Sequence, residues 1–105
     1  MTGDKELFSI ETPLGFVVHT TERYWQQIVV KHPDLAHRLH DVKVALSNPD
    51  EIRRSSRDDA VFLFYHDEKK SRWVVAVAKR QGGKGFLVTA YRTDAVKEGE
   101  KVWPK

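Results

Sequence analysis

The sequence predicts an α+β domain: an N-terminal β-hairpin, two helices, then a four-stranded antiparallel sheet covered on one face by the helices. Three observations carry that prediction. Two apolar stripes with helical spacing lie in the first half of the chain, between Trp25 and Leu46. From Glu51 onward the hydrophobic period switches to two. The runs of period two are joined by short stretches rich in charge, Ser or Gly, and such short connections between consecutive strands imply an antiparallel meander.

Taken in order, Leu7 to Glu11 and Phe16 to His19 are short β-type runs around Thr12-Pro13-Leu14-Gly15, which reads as a turn. Thr20 or Thr21 then caps a helix with Glu22 and Arg23 in its first turn. Trp25, Ile28, Val29 and His32 fall at i, i+3, i+4 and i+7, one stripe of that helix, and Pro33 stops it. Leu35, Leu39, Val42 and Leu46 define a second amphipathic helix over Asp34 to Ser47, ended by Asn48-Pro49-Asp50. Glu51–Ser55, Val61–His66, Arg72–Lys79 and Gly85–Arg92 read as the four strands. In the tail, Thr93 to Lys105, the residues Val96, Val102 and Trp103 imply docking rather than a free end. The whole is one domain, 1–105, with the hairpin at 1–19 and the core at 20–105.

Two helices can cover only one face of the sheet, so the other is expected to be solvated or to hold a site. In the last strand Phe86, Val88 and Ala90 suit the covered face, and Leu87, Thr89 and Tyr91 the open one. In the strand before it, alternation does not choose between Trp73, Val75 and Val77 and their neighbours Val74, Ala76 and Ala78.

Composition excludes several classes. The chain has no cysteine, so disulfides, thiolate zinc sites and a cysteine nucleophile are absent. The compartment is left open, with cytoplasm as the default. No apolar run approaches a membrane span, and the polar, acidic start is not a signal peptide. The formal charge is +3 and the pI about 9.3, a mild basic bias. Asp67 to Gly85 concentrates it, with Lys69, Lys70, Arg72, Lys79, Arg80 and Lys84 against Asp67 and Glu68. Edge strands use Lys and Arg to prevent sheet pairing; a phosphate-binding patch is the competing account.

Three groups of residues can move protons or hold an anion. His32 sits at the end of an apolar stripe, where an imidazole suits acid–base work, although a packed helix-terminal His is the ordinary alternative. Arg53, Arg54 and Arg57 follow Asn48-Pro49-Asp50; Arg53 and Arg54 face opposite ways, and one guanidinium on the open face would clamp a phosphate. A solvated edge paired with Asp58 and Asp59 is the plain alternative. Ile52 is expected in the core, which puts Arg53 and Ser55 on the other side. Thr89 and Tyr91 offer two hydroxyls on the open face, with cross-strand packing as their ordinary role. His37 and His40 lack a third ligand of convincing spacing, so no metal site is expected. Gln81-Gly82-Gly83-Lys84-Gly85 lacks the spacing of a P-loop and reads as a hairpin turn.

Ile28-Val29-Val30-Lys31-His32-Pro33-Asp34, then Asn48-Pro49-Asp50-Glu51-Ile52-Arg53-Arg54-Ser55, then Val61-Phe62-Leu63-Phe64-Tyr65, then Gly85-Phe86-Leu87-Val88-Thr89-Ala90-Tyr91 together resemble the PBECR-type domains. These are phage- and mobile-element-associated members of the barnase–EndoU–colicin–RelE (BECR) superfamily of ribonucleases. The likeness covers about residues 20–103 and leaves the hairpin outside. It implies a BECR-like fold and a metal-independent ribonuclease that needs no cofactor. Its roles map onto His32 as acid–base group, Arg53 or Arg54 as phosphate binder, and Thr89 with Tyr91 as the polar pair on the strand. Ser55 and Tyr65 are secondary substrate-binding candidates. The implied partner is RNA, and a toxin-like effector also implies a cognate inhibitor or antitoxin protein. A non-catalytic nucleic-acid- or protein-binding module on the same sheet is the alternative. A second acid–base group is not evident: His19, His66 and Tyr91 are the candidates.

Overall fold

A computed structural model of the protein describes residues 5–69, 71–96 and 98–105. Met1–Asp4 of the polar start and Lys70 of the basic group lie outside the described residues. The elements are β1 (Glu6–Glu11), β2 (Val17–Thr21), α1 (Glu22–Lys31), a 3-10 turn (Pro33–Leu35), α2 (Leu39–Ser47), β3 (Glu51–Arg54), β4 (Val61–Asp67), β5 (Trp73–Gln81), β6 (Lys84–Thr93) and β7 (Glu100–Trp103).

The four expected strands do form an antiparallel meander, β6-β5-β4-β3, but they are the middle of a seven-stranded sheet ordered β1-β2-β6-β5-β4-β3-β7. The hairpin is not an appendage: β2 pairs in parallel with β6, Val17 opposite Lys84 and His19 opposite Phe86. The tail is also a strand, β7, antiparallel to β3 with Glu100 opposite Arg54. The physical reason is shared. A four-stranded meander leaves a row of unpaired backbone groups at each edge, and the apolar residues of hairpin and tail have nowhere else to be buried.

Thr21 is the N-cap of α1, and its side-chain oxygen accepts from the Tyr24 amide at 3.1 Å. The second helix is shorter than its periodicity suggests. Its expected first turn is a 3-10 turn, closed by Leu35 N–H to His32 C=O at 2.9 Å and Ala36 N–H to Pro33 C=O at 3.1 Å. Leu35 is nonetheless fully buried, so the apolar stripe is kept although the helix is not continuous.

The helices cover one face of the sheet. The main core there joins Trp25, Ile28, Leu35, Val42 and Leu46 to Ile52, Phe62, Phe64, Val74, Ala76, Ala78 and Ala90. Phe16, between the hairpin strands, sits 5.7 Å from Phe62 and 6.1 Å from Phe64, ring to ring. It lies over Gly85, where a Cβ would meet the Phe16 ring at 3.0 Å and the Lys79 carbonyl at 2.8 Å.

A β-bulge in β6 changes which residues face that core. Val77 is opposite Thr89 but Ala78 is opposite Leu87, so Val88 is the extra residue. Leu87 is therefore buried on the helix side, contrary to plain alternation, while Thr89 and Tyr91 face away as expected.

That second face is not bare. Leu63, Tyr65, Val75 and Val77 make a second apolar cluster, with Trp73, Tyr91 and Val96 against it. β5, β4 and β3 lie between β6 and β7, so the connection from Thr93 to Glu100 must cross the sheet, and Val96 packs on the cluster beneath it. Arg53 of β3 fastens this strap by donating from Nε to the Glu98 carbonyl and from Nη2 to the Gly99 carbonyl, both at 2.8 Å. Gly99 has φ +80°, and a Cβ there would lie 2.1 Å from the Arg54 carbonyl oxygen. Among the described residues no helix is long and apolar enough to cross a membrane.

Gly99→Ala is expected to cost about 2 kcal/mol or more, from the left-handed backbone and the clash with β3 together. Gly83→Ala, where nothing lies within 4 Å of the new methyl, is expected to cost far less. Urea unfolding of the two variants compares them directly; equal midpoints would mean that the strap is not seated on β3.

Candidate functional site

His32 is held by its backbone. Its amide is the last of α1, donating to the Ile28 carbonyl at 2.8 Å, and its carbonyl accepts from Leu35 to open the 3-10 turn. At φ −131° and ψ 74° it has left the helical region, as a residue before proline does. The half-buried ring comes out on the rim of the sheet, its centroid 6.4 Å from that of Tyr91 and its plane tilted by 40°. Among the described residues neither ring nitrogen has a hydrogen-bond partner. The imidazole therefore has both nitrogens available for proton exchange with a ligand.

Charged side chains hold the segment after His32 against the sheet. Glu68, in the β4–β5 connection, accepts from Arg92 of β6 at 2.9 and 3.0 Å and from Arg38 at 3.3 Å. Arg92 also reaches Asp34 at 3.7 Å. The turn that carries His32 is thus tied at Asp34 and at Arg38 to the strand that carries Tyr91. The paired Arg92 guanidinium above all, and the charge of Arg38 less so, hold the Glu68 carboxyl below its usual range.

Tyr91 is not alone. Tyr65 of β4 and Tyr91 of β6 flank Val75 on the strap side, where each phenol influences the ionisation of the other. Burial is the main cause that raises both phenols, and the nearby negative charge of Glu98 adds to it. Thr89, half-buried, lines a cleft together with His32, Lys31 and Tyr24.

The remaining expected residues are placed differently. Arg53 is on the strap side with Tyr65, opposite to Ile52 as alternation requires, but its guanidinium is engaged by the Glu98 and Gly99 carbonyls and by Glu51. Arg54 is on the helix side and pairs with Glu100 at 3.0 Å. Ser55 is a buried turn residue whose oxygen accepts from the Arg57 amide at 3.1 Å. So the structure brings His32, Thr89, Tyr91 and Tyr65 together, and leaves Arg54 and Ser55 elsewhere. His66 sits 3.7 Å from Asp50, away from this group, and His19 lies on β2. Glu98 was not singled out by sequence reasoning, and no local signal marks a residue that reaches the site by way of a strap. No three His, Asp or Glu side chains among the described residues are close enough to hold a metal ion.

No family model, curated protein or solved structure matches the chain. The likeness to PBECR-type domains therefore rests on the residues that were quoted for it.

Two expectations follow from these charges. A raised phenol favours the folded state below the ordinary tyrosine range, and that contribution is lost as the pH rises past about 10. An alkaline absorbance titration of the folded protein should lag behind that of the unfolded chain, with a smaller lag in Tyr65→Phe; superimposed curves would contradict the buried pair. Glu68 acts in the opposite sense. Its lowered carboxyl stabilises the fold above the ordinary glutamate range, and that contribution is lost as the pH falls below that range. Glu68→Gln should cost about 1–3 kcal/mol at neutral pH and flatten the acid limb of stability against pH; an unchanged limb would rule the clamp out.

Proposed function

We propose that the protein is a metal-independent ribonuclease of BECR-like fold, with its reacting centre between His32, Tyr91 and Thr89. The observation that carries this reading is the placement against Tyr91, at the rim of the strap-side face, of an imidazole whose ring has no hydrogen-bond partner among the described residues. The chemistry is the transesterification of RNA. The 2′-hydroxyl attacks the adjacent phosphorus, the bond to the 5′-oxygen breaks, and a 2′,3′-cyclic phosphate forms. His32 moves a proton between the imidazole and one of these two oxygens. Tyr91, kept protonated by burial and by the charge of Glu98, donates to a phosphoryl oxygen as charge builds there. Lys31, in the same cleft, supplies positive charge without an ion pair of its own among the described residues. Arg53 is reassigned: it holds the strap, and Lys31 takes the electrostatic role that the resemblance gave to an arginine.

A second reading has one observation in its favour. Every nitrogen of the Arg53 guanidinium already has a protein partner, so the arrangement also suits a module that binds RNA and leaves it intact. In either case RNA is the proposed partner. A toxin-like effector with its own inhibitor protein is the biological setting that the resemblance suggests.

Incubation of structured RNA with the purified protein in excess chelator separates the two. Products ending in a cyclic phosphate are expected, and His32→Ala should reduce their formation by about 10²-fold or more. Salt-sensitive binding with no cleavage would establish the module instead. Cleavage that survives His32→Ala would remove His32 from the reaction.

A further inference from the structure

The cleft beside His32 has a construction of its own. β2 accompanies β6 only from Lys84 to Phe86. From Leu87 onward the outer edge of β6 has no strand beside it among the described residues, and α1 lies across the gap. The hollow between them measures about 430 Å³ and runs from His32, Lys31 and Gln27 to Tyr24. A further hollow of about 250 Å³ shares Tyr24 and continues to Phe86 and His19. Among the described residues no carboxylate lines either one. Three other surface hollows are each lined by at least one: Glu68 with Asp41 and Asp67, Glu100, and Glu6.

Tyr24 stands where the two hollows meet. Its side chain is 37% exposed and belongs to no core. It is still fixed in place, because its hydroxyl donates to the carbonyl of the bulged Val88 at 2.7 Å. That bond spans the cleft and takes up an acceptor that a peptide added to the β6 edge would need. What remains is a flat, anchored ring, an amide at Gln27 and a cation at Lys31, in a channel that no described carboxylate lines and that is too confined for a duplex.

We propose that this cleft takes an unpaired RNA base on the Tyr24 ring, with Gln27 reading the base edge and the adjoining phosphodiester placed at His32. The identification of that phosphodiester as the reacting bond rests on the ribonuclease reading; binding of the base does not. Aromatic rings accept any base by its face, while an amide distinguishes donor and acceptor patterns along its edge.

A short 2′-O-methyl oligoribonucleotide, which lacks the attacking hydroxyl, tests binding apart from cleavage. Fluorescence anisotropy with the full chain should show single strand bound in preference to duplex. Tyr24→Ala should weaken binding about ten-fold or more, while Tyr24→Phe and Tyr24→Trp, which keep a ring but lose the bond to the Val88 carbonyl, should bind more tightly than Tyr24→Ala. Gln27→Ala should change the preference for one base. Unchanged affinity in Tyr24→Ala, binding by Tyr24→Trp no tighter than by Tyr24→Ala, equal affinity for duplex, or no binding by the parent would each overturn the proposal. Binding through Tyr24 by a protein that does not cleave unmodified RNA would leave the subsite standing and remove the ribonuclease. Cleavage that depends on His32 but not on Tyr24 would do the reverse.

Discussion

Pro33 carries no amide hydrogen, and its ring denies His32 the helical conformation. α1 must therefore end where it does, and the imidazole leaves the helix at the rim of the sheet instead of continuing into the core stripe of Trp25 and Ile28. The backbone does the positioning: the His32 amide closes α1 and its carbonyl opens the 3-10 turn. Since neither task uses the ring, the ring stays available for chemistry. The clamp of Glu68, Arg92, Arg38 and Asp34 then holds the turn to the strand that carries Tyr91. Helix end and sheet are thereby kept in one geometry without a direct bond between His32 and Tyr91.

The strap has the second largest consequence. A chain that leaves β6 and must pair with the far edge of β3 has three strands to cross, β5, β4 and β3, and crossing on the helix-free face covers apolar surface that water would otherwise meet. Val96 covers the cluster, and Arg53 satisfies two strap carbonyls that would otherwise be left unpaired against the sheet. Hydrogen bonds from a charged donor are worth about 1.5–3 kcal/mol each, which explains why a guanidinium is found there. The same bonds withdraw Arg53 from the phosphate-binding role that its strand position suggested. The strap also brings Glu98 toward Tyr65 and Tyr91, where its charge and the burial of both phenols keep them protonated.

The bulge at Val88 links fold to site. One extra residue lets Leu87 enter the helix-side core while Thr89 and Tyr91 keep the other face. It also turns the Val88 carbonyl toward Tyr24, which fixes an aromatic ring at the surface beside His32. A regular strand would provide neither.

Local patterning determined much of this protein. The period of two marks β3 to β6, the stripe from Trp25 marks α1, Thr20 or Thr21 and Pro33 mark its ends, and short connections make the central strands antiparallel. The side of the sheet on which Arg53, Thr89 and Tyr91 stand was also legible, since alternation is a property of the strand itself. Tertiary structure decided what depends on distant partners. The parallel pairing of β2 with β6 and the recruitment of the tail as β7 follow from edges that exist only once the meander has formed. The bulge at Val88 leaves no mark in a run of apolar residues, because Phe86-Leu87-Val88 reads equally well in either register. Whether Arg53 is free or bound was settled by carbonyls 45 and 46 residues away in the chain, and no pattern around Arg53 records them.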